Sequence, residues 1–403
     1  MPKIPSDIQK WNKRWSTDIK YCRPSSGGAV GIVYVWTQNL GWQSANGSYA
    51  NYEPKDAAFV IKPIQGSAAP TKFAEGILSK IGGAQSPNSV PIKRSTIHAQ
   101  SLVNMLFRFS NSETDATTKA RWQAVFHHYQ HADALLIQET QKGIQELGDF
   151  YKADEYAKQN GGLEKILTNE TLMTNLGKLF AADALIGNGD RLSNMNTGNI
   201  AFDAQGQVLA IDSTTILTNF QTIVEDTTNL ATGLMSNDTN NWVSAHIHKS
   251  DYNANPTIGQ QRAFQPGVTS APVLPPGAGI SEIFDVKTWW TQKFRRELEA
   301  KLKQHCPTAA SPDENTWFQA ELWFTNGVNM GIQQIDMKLS GLNWLMIKNK
   351  YKSFVSKYGG DPNLDWMNFK VRRRYVKLRN KGFSDDQALT AIKQYVSQRM
   401  PGF

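Results

Sequence analysis

The sequence predicts an α+β protein with two lobes: a small β-rich N-lobe, a helical C-lobe and extra C-terminal helices. Three observations predict this class. The first 85 residues read as three strands followed by a helix, residues 163–187 form an apolar helical face that leads into a β-hairpin pattern, and most of the chain beyond Ser281 has helical periodicity. The predicted segments are a helical lead-in over 1–20, the N-lobe over 21–140, the C-lobe with its hairpin over 141–300, and the helical extension over 301–403.

Length and composition indicate an ordinary globular protein. The chain has 403 residues, of which 40% are hydrophobic and 19% are charged. No apolar run reaches the roughly 18 residues of a membrane span, and residues 1–20 carry charge and lack the apolar core of a secretory signal. The net charge of +8 favours anionic partners. Cys22 and Cys306 lie far apart without CxxC spacing, which favours a reducing compartment and a cytoplasmic location.

The N-lobe pattern places one lysine inside an apolar strand. A glycine-rich turn, SSGGAVG, runs into a strand over Ile32 to Trp36, and AAFVIKPI forms the apolar third strand, which holds Lys62. The helix APTKFAEGILSKIGG has apolar residues spaced by four and is ended by two glycines. The stretch ADALLIQE then reads as a buried strand.

Three polar residues lie before and at the strand ends of the predicted hairpin of the C-lobe. In LIGNGDRLSNMNTGNIAFDAQGQVLAIDST, Asp190 lies in a polar turn, Asn199 directly precedes an apolar strand, and Asp212 directly follows one. The two short strands are joined by a turn that contains Gly206. Polar groups at strand ends within otherwise apolar runs indicate a site.

Phosphoryl transfer from ATP needs a set of groups that occurs here in the expected order. It needs backbone amides close to the phosphates, a lysine with a carboxylate partner, a base for the attacking hydroxyl, and oxygen ligands for Mg²⁺. The candidates are Gly27, Gly28 and Gly31 for the phosphate turn, Lys62 and Glu75 for the pair, the backbone of Gln138, Glu139 and Thr140 for adenine, Asp190 for the base, and Asn199 and Asp212 for the metal.

These motifs resemble a divergent branch of the protein-kinase-like superfamily. GNGDR…NTGNIAF…LAIDS is similar to the catalytic segment of actin-fragmin kinase, which is related to the phosphatidylinositol 3-/4-kinases, and AAFVIKP is similar to the lysine strand of HipA-type kinases. The resemblance covers roughly residues 22–215. It implies a two-lobed kinase-like fold and transfer of the ATP γ-phosphate to a Ser or Thr hydroxyl of a protein, with Mg²⁺ or Mn²⁺.

The resemblance also implies a role for each matched residue, and the sequence departs from the family pattern at specific points. Lys62 would contact phosphate, Glu75 would pair with it, Asp190 would be the catalytic Asp, and Asn199 and Asp212 would bind the metal. Eight residues separate Asp190 from Asn199, whereas common kinases have four. Asn194 is the rival ligand, and Asn199 is preferred because a strand follows it directly.

Two further departures bear on the acceptor and on regulation. Leu192 stands where lipid kinases have His, and Ser213 follows the metal Asp, so no D-F-G is present. Three alternatives to a protein kinase remain: a lipid or small-molecule kinase, an AMP transferase on the same fold, and a non-catalytic kinase-like binding module. By analogy, a compact and cysteine-poor kinase of this branch suggests a bacterial effector or toxin acting in the host cytosol.

Two other stretches have a functional and a structural interpretation. The segment Lys370 to Lys381 has seven basic residues and no acidic one. This charge fits a surface that docks an acidic protein or a phosphoinositide, and it also fits a basic helix face that is simply solvated. Its neighbouring aromatic residues fit core anchoring, so nucleic acid is not predicted as a partner. The HHxxH stretch at His127 lacks accompanying ligands with metal spacing and is interpreted as structural or solvated.

Overall fold

The computed structural model describes most of the sheet and helical regions of the chain. The described residues are 19–25, 31–37, 57–64, 68–140, 143–152, 162–186, 188, 191, 197–211, 289–342, 344–359, 364–384, 387–388, 390–391 and 394. All structural statements below concern these residues. Of the predicted elements, the lead-in before residue 19 lies outside them.

The described chain is α+β, with a β-rich N-terminal region and a helical C-terminal part. The strands are β1 (Tyr21–Pro24), β2 (Val33–Trp36), β3 (Phe59–Ile64), β4 (Ser89–Lys93), β5 (Ala134–Glu139), β6 (Ile144–Glu146), β7 (Ile200–Asp203) and β8 (Val208–Ala210). The helices are α1 (Ala69–Ile77), α2 (Ile97–Asn111), α3 (Ala116–Gln130), α4 (Leu163–Leu167), α5 (Glu170–Ile186), α6 (Arg296–His305), α7 (Glu314–Gly341), α8 (Trp344–Tyr358) and α9 (Leu364–Asn380). Short π or 3₁₀ turns cover Leu78–Gly82, Leu147–Lys152, Thr197–Asn199 and Trp289–Arg295.

The chain divides into two compact units. The first contains the described residues of Met1–Lys72, Pro87–Gly143 and Lys350–Asp361. The second contains those of Phe73–Ser86, Ile144–Asn349 and Pro362–Phe403. None of the described helices combines the length and the apolar character needed to cross a membrane.

The first unit is built on a five-stranded antiparallel sheet with the order β1-β2-β3-β5-β4. Side chains of a strand alternate between the two faces. Phe59 and Ile61 of β3, with Leu135 and Ile137 of β5, belong to the core that helices α2 and α3 cover. The opposite face of β3 therefore carries Val60, Lys62 and Ile64.

Two helices close one face of this sheet. Helix α2 begins at the cap residue Thr96, whose hydroxyl accepts a hydrogen bond from the amide of Ala99, and α3 begins at Asp115 in the same way. Trp122 and Tyr129 of α3 are buried against the sheet, and the Tyr129 hydroxyl donates to the carbonyl of Ile61 at 3.1 Å. The bond ties α3 to the middle of the sheet.

The second unit contains a three-stranded antiparallel sheet with the order β6-β7-β8. Strands β7 and β8 form a hairpin whose turn contains Gly206 with φ +74°. The Asp203 carboxylate accepts hydrogen bonds from the amides of Gln205 and Gln207, both at 2.9 Å. The polar turn sequence DAQGQ thus closes on its own aspartate, as Asx turns do.

The helical core of the second unit depends on a close crossing of α5 and α7 at glycine. A Cβ on Gly177 would lie 2.1 Å from the carbonyl oxygen of Phe324, and one on Gly327 would lie 2.1 Å from that of Thr174. No real Cβ approaches a backbone oxygen so closely, so the two backbones touch only because both residues lack a side chain. Trp290 and Trp317 are buried in the same unit.

Periodicity predicted these elements well. The predicted strand with Lys62, the helix after it, the buried strand ALLIQE, the helical stretch 163–187 and the hairpin on either side of Gly206 are all confirmed. The α+β class is confirmed as well.

Replacing Gly327 by alanine should destabilise the second unit. Overpacking a tight contact typically costs about 1–3 kcal/mol, and the new methyl would overlap the Thr174 carbonyl. We expect a lower urea midpoint for Gly327→Ala. Gly341→Ala in the same helix is the control, because a Cβ there meets no atom within 4 Å and alanine favours a helix. Equal midpoints for the two variants would contradict the close crossing.

Candidate functional site

Lys62 lies on a central strand of the first unit, and only 8% of it is exposed. It is paired across the sheet with Leu136, and Ile64 on the same face joins Leu136 and Ala134 in a small apolar cluster. A lysine is rarely buried to this extent unless its ammonium group is paired. A phosphate-binding role for Lys62 stays a prediction.

Gly31 is explained by packing. Its φ is +105°, and a Cβ there would lie 2.7 Å from Cγ of Pro63 and 3.3 Å from Cβ of His128. Pro63 alternates with Lys62 along β3, so this close contact is on the face opposite to the lysine. Gly27 and Gly28 lie outside the described residues, and a phosphate role for the three glycines stays a prediction.

The end of β5 is already occupied by internal hydrogen bonds. The amide of Glu139 donates a hydrogen bond to the carbonyl of Asn88 at 2.9 Å. The amide of Thr140 donates to the carbonyl of Ala58 at 3.3 Å. The side chains are also engaged, since Asn88 Nδ2 donates to the Glu139 carboxylate at 2.9 Å and the Thr140 hydroxyl donates to the Ala57 carbonyl. An adenine bound here would use carbonyl groups or the side chain of Gln138, which is buried on the Lys62 face.

Glu75 is a buried carboxylate on α1, with 6% of the residue exposed. The helix continues into the π turn Leu78–Gly82 and ends at Gly83 with φ +70°. Beyond it, Gln85 bridges to Leu209 of β8, so the chain after Glu75 is attached to the hairpin of the second unit. Lys62 belongs to the first unit and Glu75 to the second, and their pairing stays a prediction.

A fully buried arginine organises the segment between α5 and the hairpin. Arg191 is 0% exposed, and its Nε and Nη2 donate to the two carboxylate oxygens of Asp183, each at 2.9 Å. Its Nη1 donates to the carbonyl of Ile211. Asn188 completes the turn: its amide donates to the Asp183 carbonyl and its Oδ1 accepts from the amide of Arg191, both at 3.1 Å.

Asn199 lies beside Ile211 at the open end of the β7–β8 hairpin. It ends the 3₁₀ turn directly before β7, and its carbonyl accepts a hydrogen bond from the amide of Ile211 at 3.0 Å. Thr197 in the same turn is buried, and its hydroxyl accepts from Lys301 Nζ of α6 at 2.7 Å. The Asn199 turn is therefore held from both sides.

Asp190, Asn194 and Asp212 lie outside the described residues, but one chain neighbour of Asp190 and one of Asp212 are described. Asp190 precedes Arg191, and Asp212 follows Ile211. The Ile211 peptide groups bond Arg191 on one side and Asn199 on the other. Arg191, Asn199 and Ile211 are thus joined at one place, which we call the Ile211 node.

Sequence reasoning missed four residues that hold this region: Asp183, Asn188, Arg191 and Lys301. A signal was present for Asp183, which is a carboxylate within the apolar helical run LFAADALI. A buried carboxylate needs a cationic or hydrogen-bonding partner, and Arg191 was the nearest basic residue after it. Nothing in the sequence pointed to Lys301, because its partner Thr197 is 104 residues away.

The basic C-terminal helix is partly an internal anchor. Arg372 is buried, and burial lowers its pKa to about 10. Arg373 donates to the carbonyl of Leu339 at 3.2 Å, while Arg374 and Lys377 are exposed. Only part of the predicted positive charge of Lys370 to Lys381 therefore faces outwards, and docking of an acidic protein or phosphoinositide stays a prediction.

Two of the described histidines are in contact, and both cysteines are free. The rings of His127 and His131 meet edge to face at 4.8 Å. Within the described ranges, no group of three or more His, Cys, Asp or Glu residues could hold a metal ion. Cys22 and Cys306 are buried free cysteines, and burial raises the pKa of the Cys22 thiol.

Comparison with known proteins assigns no family to the chain. No protein-family model matches it, and neither a curated protein nor a solved structure shows significant similarity to it. Its function is therefore argued from the site.

Proposed function

We propose that this chain is an ATP-dependent phosphotransferase with a two-lobed kinase-like fold, and that it phosphorylates Ser or Thr hydroxyls of a protein. The observation that carries the proposal is the Ile211 node, where hydrogen bonds join Arg191, Ile211 and Asn199. In the sequence Asp190 directly precedes Arg191 and Asp212 directly follows Ile211. A buried lysine on a central strand and a buried glutamate on the next helix add the groups that phosphate binding needs.

The proposed reaction needs little covalent work by the protein. The acceptor hydroxyl oxygen attacks the γ-phosphorus, the bond from that phosphorus to the β–γ bridging oxygen breaks, and ADP leaves with the bonding electrons. Asp190 orients the hydroxyl and takes its proton. Lys62 contacts the α- and β-phosphates, and Glu75 holds Lys62 in place.

The donor set fits a hard divalent cation. Asn199 and Asp212 would supply an amide and a carboxylate oxygen, the ligand types that Mg²⁺ and Mn²⁺ prefer. Asn199 lies beside Ile211, and Asp212 follows Ile211 in the sequence, which supports the two residues as ligands of one cation. When bound, the cation neutralises charge on the phosphates.

The acceptor class follows from the resemblance and from two departures. Leu192 replaces the His of lipid kinases, which favours a protein acceptor. The cytosol of a host or target cell is the proposed place of action, by analogy with effector kinases.

Loss of either aspartate should abolish transfer of label from γ-labelled ATP to protein. We expect Asp190→Asn and Asp212→Asn to lower the rate at least about 10²-fold in a lysate supplied with Mg²⁺ or Mn²⁺. Asp203→Asn is the control, because Asp203 lies in the turn of the same hairpin and an amide oxygen can accept the same turn hydrogen bonds.

Each other outcome of that assay identifies a rival. Protein labelling from α-labelled ATP indicates AMP transfer, and label in the lipid or small-molecule fraction indicates a different acceptor. No label in any fraction, with no rise of melting temperature on adding ATP, indicates a non-catalytic binding module.

Lys62→Met should lower kcat/KM for ATP at least about 10²-fold and leave a folded enzyme. Methionine fills a similar volume, so the packing around β3 is kept. The measurement is ATP-dependent phosphorylation together with thermal unfolding. Lys80→Met on the exposed end of the next helix is the control. A Lys62→Met enzyme with wild-type kcat/KM would contradict the phosphate role of Lys62.

A further inference from the structure

Two histidines at the end of helix α3 are in direct contact. The rings of His127 and His131 meet edge to face, with their centres 4.8 Å apart and their planes at 68°. The helix ends at Gln130, and His131 follows it with φ −98° and ψ 1°. Residues four apart lie on one face of a helix, and both histidines are exposed. The pair therefore faces solvent, on the side of α3 opposite to the buried Tyr129.

The backbone that carries this pair is fixed by the fold. Tyr129 lies between the two histidines and is 0% exposed, and its hydroxyl donates to a carbonyl of β3 at 3.1 Å. Its own carbonyl accepts a hydrogen bond from Arg94 Nε at 3.0 Å. Two residues after the pair, the amide of Asp133 donates to another carbonyl of β3 at 2.8 Å. A ligand of the two histidines would therefore have to order only their side chains, which keeps the entropy cost of binding small.

The ring spacing matches that of two imidazoles on one metal ion. A metal–nitrogen bond of about 2.1 Å puts the ion about 3.2 Å from each ring centre, so at metal angles of about 90–109° the ring centres lie about 4.5–5.2 Å apart. The 4.8 Å between His127 and His131 falls in this range. Torsion χ2 is soft, and it turns a ring about an axis that passes close to the ring centre. The nitrogens can therefore be aimed at an ion without changing the spacing.

The ligand type selects the class of ion. Imidazole suits Cu²⁺, Ni²⁺ and Zn²⁺, whereas Mg²⁺ and Ca²⁺ take oxygen ligands. Among the three, Cu²⁺ is bound most tightly by a given set of nitrogen ligands. Two histidines four apart on a helix are also the arrangement by which known zinc sites present two of their ligands. Two protein ligands make an open site, whose remaining positions water can fill.

We propose that His127 and His131 form a two-histidine chelate for a borderline-soft divalent cation, namely Cu²⁺, Ni²⁺ or Zn²⁺. The bound ion links the last turn of α3 to the residue that follows it, and so stabilises the end of the helix next to β5. The site lies wholly in the first unit and takes no part in the proposed phosphotransferase reaction.

Each histidine can be removed without disturbing the fold. His127→Gln and His131→Gln keep a polar side chain at an exposed position, and glutamine is a good helix former. His128→Gln is the matched control in the same turn. His128 is half-buried, and its Cβ lies 3.3 Å from the place of a Cβ on Gly31, so it points away from the pair towards the sheet.

Binding is measured directly on the untagged full chain. Zn²⁺ is titrated by calorimetry in excess Mg²⁺, which occupies sites made of oxygen ligands. One equivalent of Cu²⁺ is followed by electron paramagnetic resonance, in which each coordinated imidazole adds a nitrogen splitting. Melting temperatures are recorded with and without Zn²⁺.

We expect His127→Gln and His131→Gln each to lose one bound ion at Zn²⁺ concentrations that fill the site in wild type. The reason is that removing one of two linked donors lowers affinity at least about 10-fold. His128→Gln should bind as wild type does, and the Cu²⁺ spectrum of wild type should show two imidazole nitrogens. Zn²⁺ should raise the melting temperature of wild type and His128→Gln more than that of the other two variants, because an ion that binds the folded chain stabilises it.

Equal numbers of bound ions in wild type, His127→Gln and His131→Gln would overturn the chelate. An equal loss in His128→Gln would assign the ion to a different set of ligands and overturn it as well. None of these measurements uses ATP. A chain that transfers no phosphate would therefore leave this site intact, and a chain that binds no Zn²⁺ or Cu²⁺ here would leave the proposed function intact.

Discussion

The buried guanidinium of Arg191 is the interaction on which the connection between helix α5 and the β7–β8 hairpin depends. A charge with no exposed surface is tolerable only if every bond around it is formed, and here those bonds reach a helix, a turn and a strand end. The requirement to satisfy one charge thus forces three pieces of chain into a fixed relation. The Ile211 peptide shares in this relation, because its amide is committed to the Asn199 carbonyl.

Helix packing in the second unit also fixes the position of Asp183, the partner of Arg191. Helix α5 carries Asp183, and its position is fixed by the contact of Gly177 and Gly327 with the backbone of the facing helix. Such contacts allow little sliding, because each backbone sits in the space that a side chain would have filled. The hairpin is held separately by the bridge from Gln85 to Leu209 and by the bond from Lys301 to Thr197.

Local sequence patterns predicted the strands and helices of the fold. They did not predict the long-range contacts made by Asp183, Arg191 and Lys301 around the hairpin. The alternation in AAFVIKPI was enough to place Lys62 on a buried strand, and spacing by four was enough for the helix with Glu75. The Asp183–Arg191 pair and the Lys301–Thr197 bond depend on tertiary proximity, which one sequence does not encode in any short pattern. Gly31 shows the converse case: a glycine that fits a phosphate turn by sequence is required at its position by Pro63 and His128.

The glycine contact between α5 and α7 also constrains how the chain is made. Gly177 and Gly327 are about 150 residues apart, so at the usual 5–20 residues per second the ribosome needs on the order of 10 s to supply the partner of a finished α5. During that time the surface of α5 around Gly177 lacks its packing partner, helix α7. The second unit is therefore completed late in synthesis. Until then the apolar surface of α5 is exposed, and exposed apolar surface is what chaperones bind.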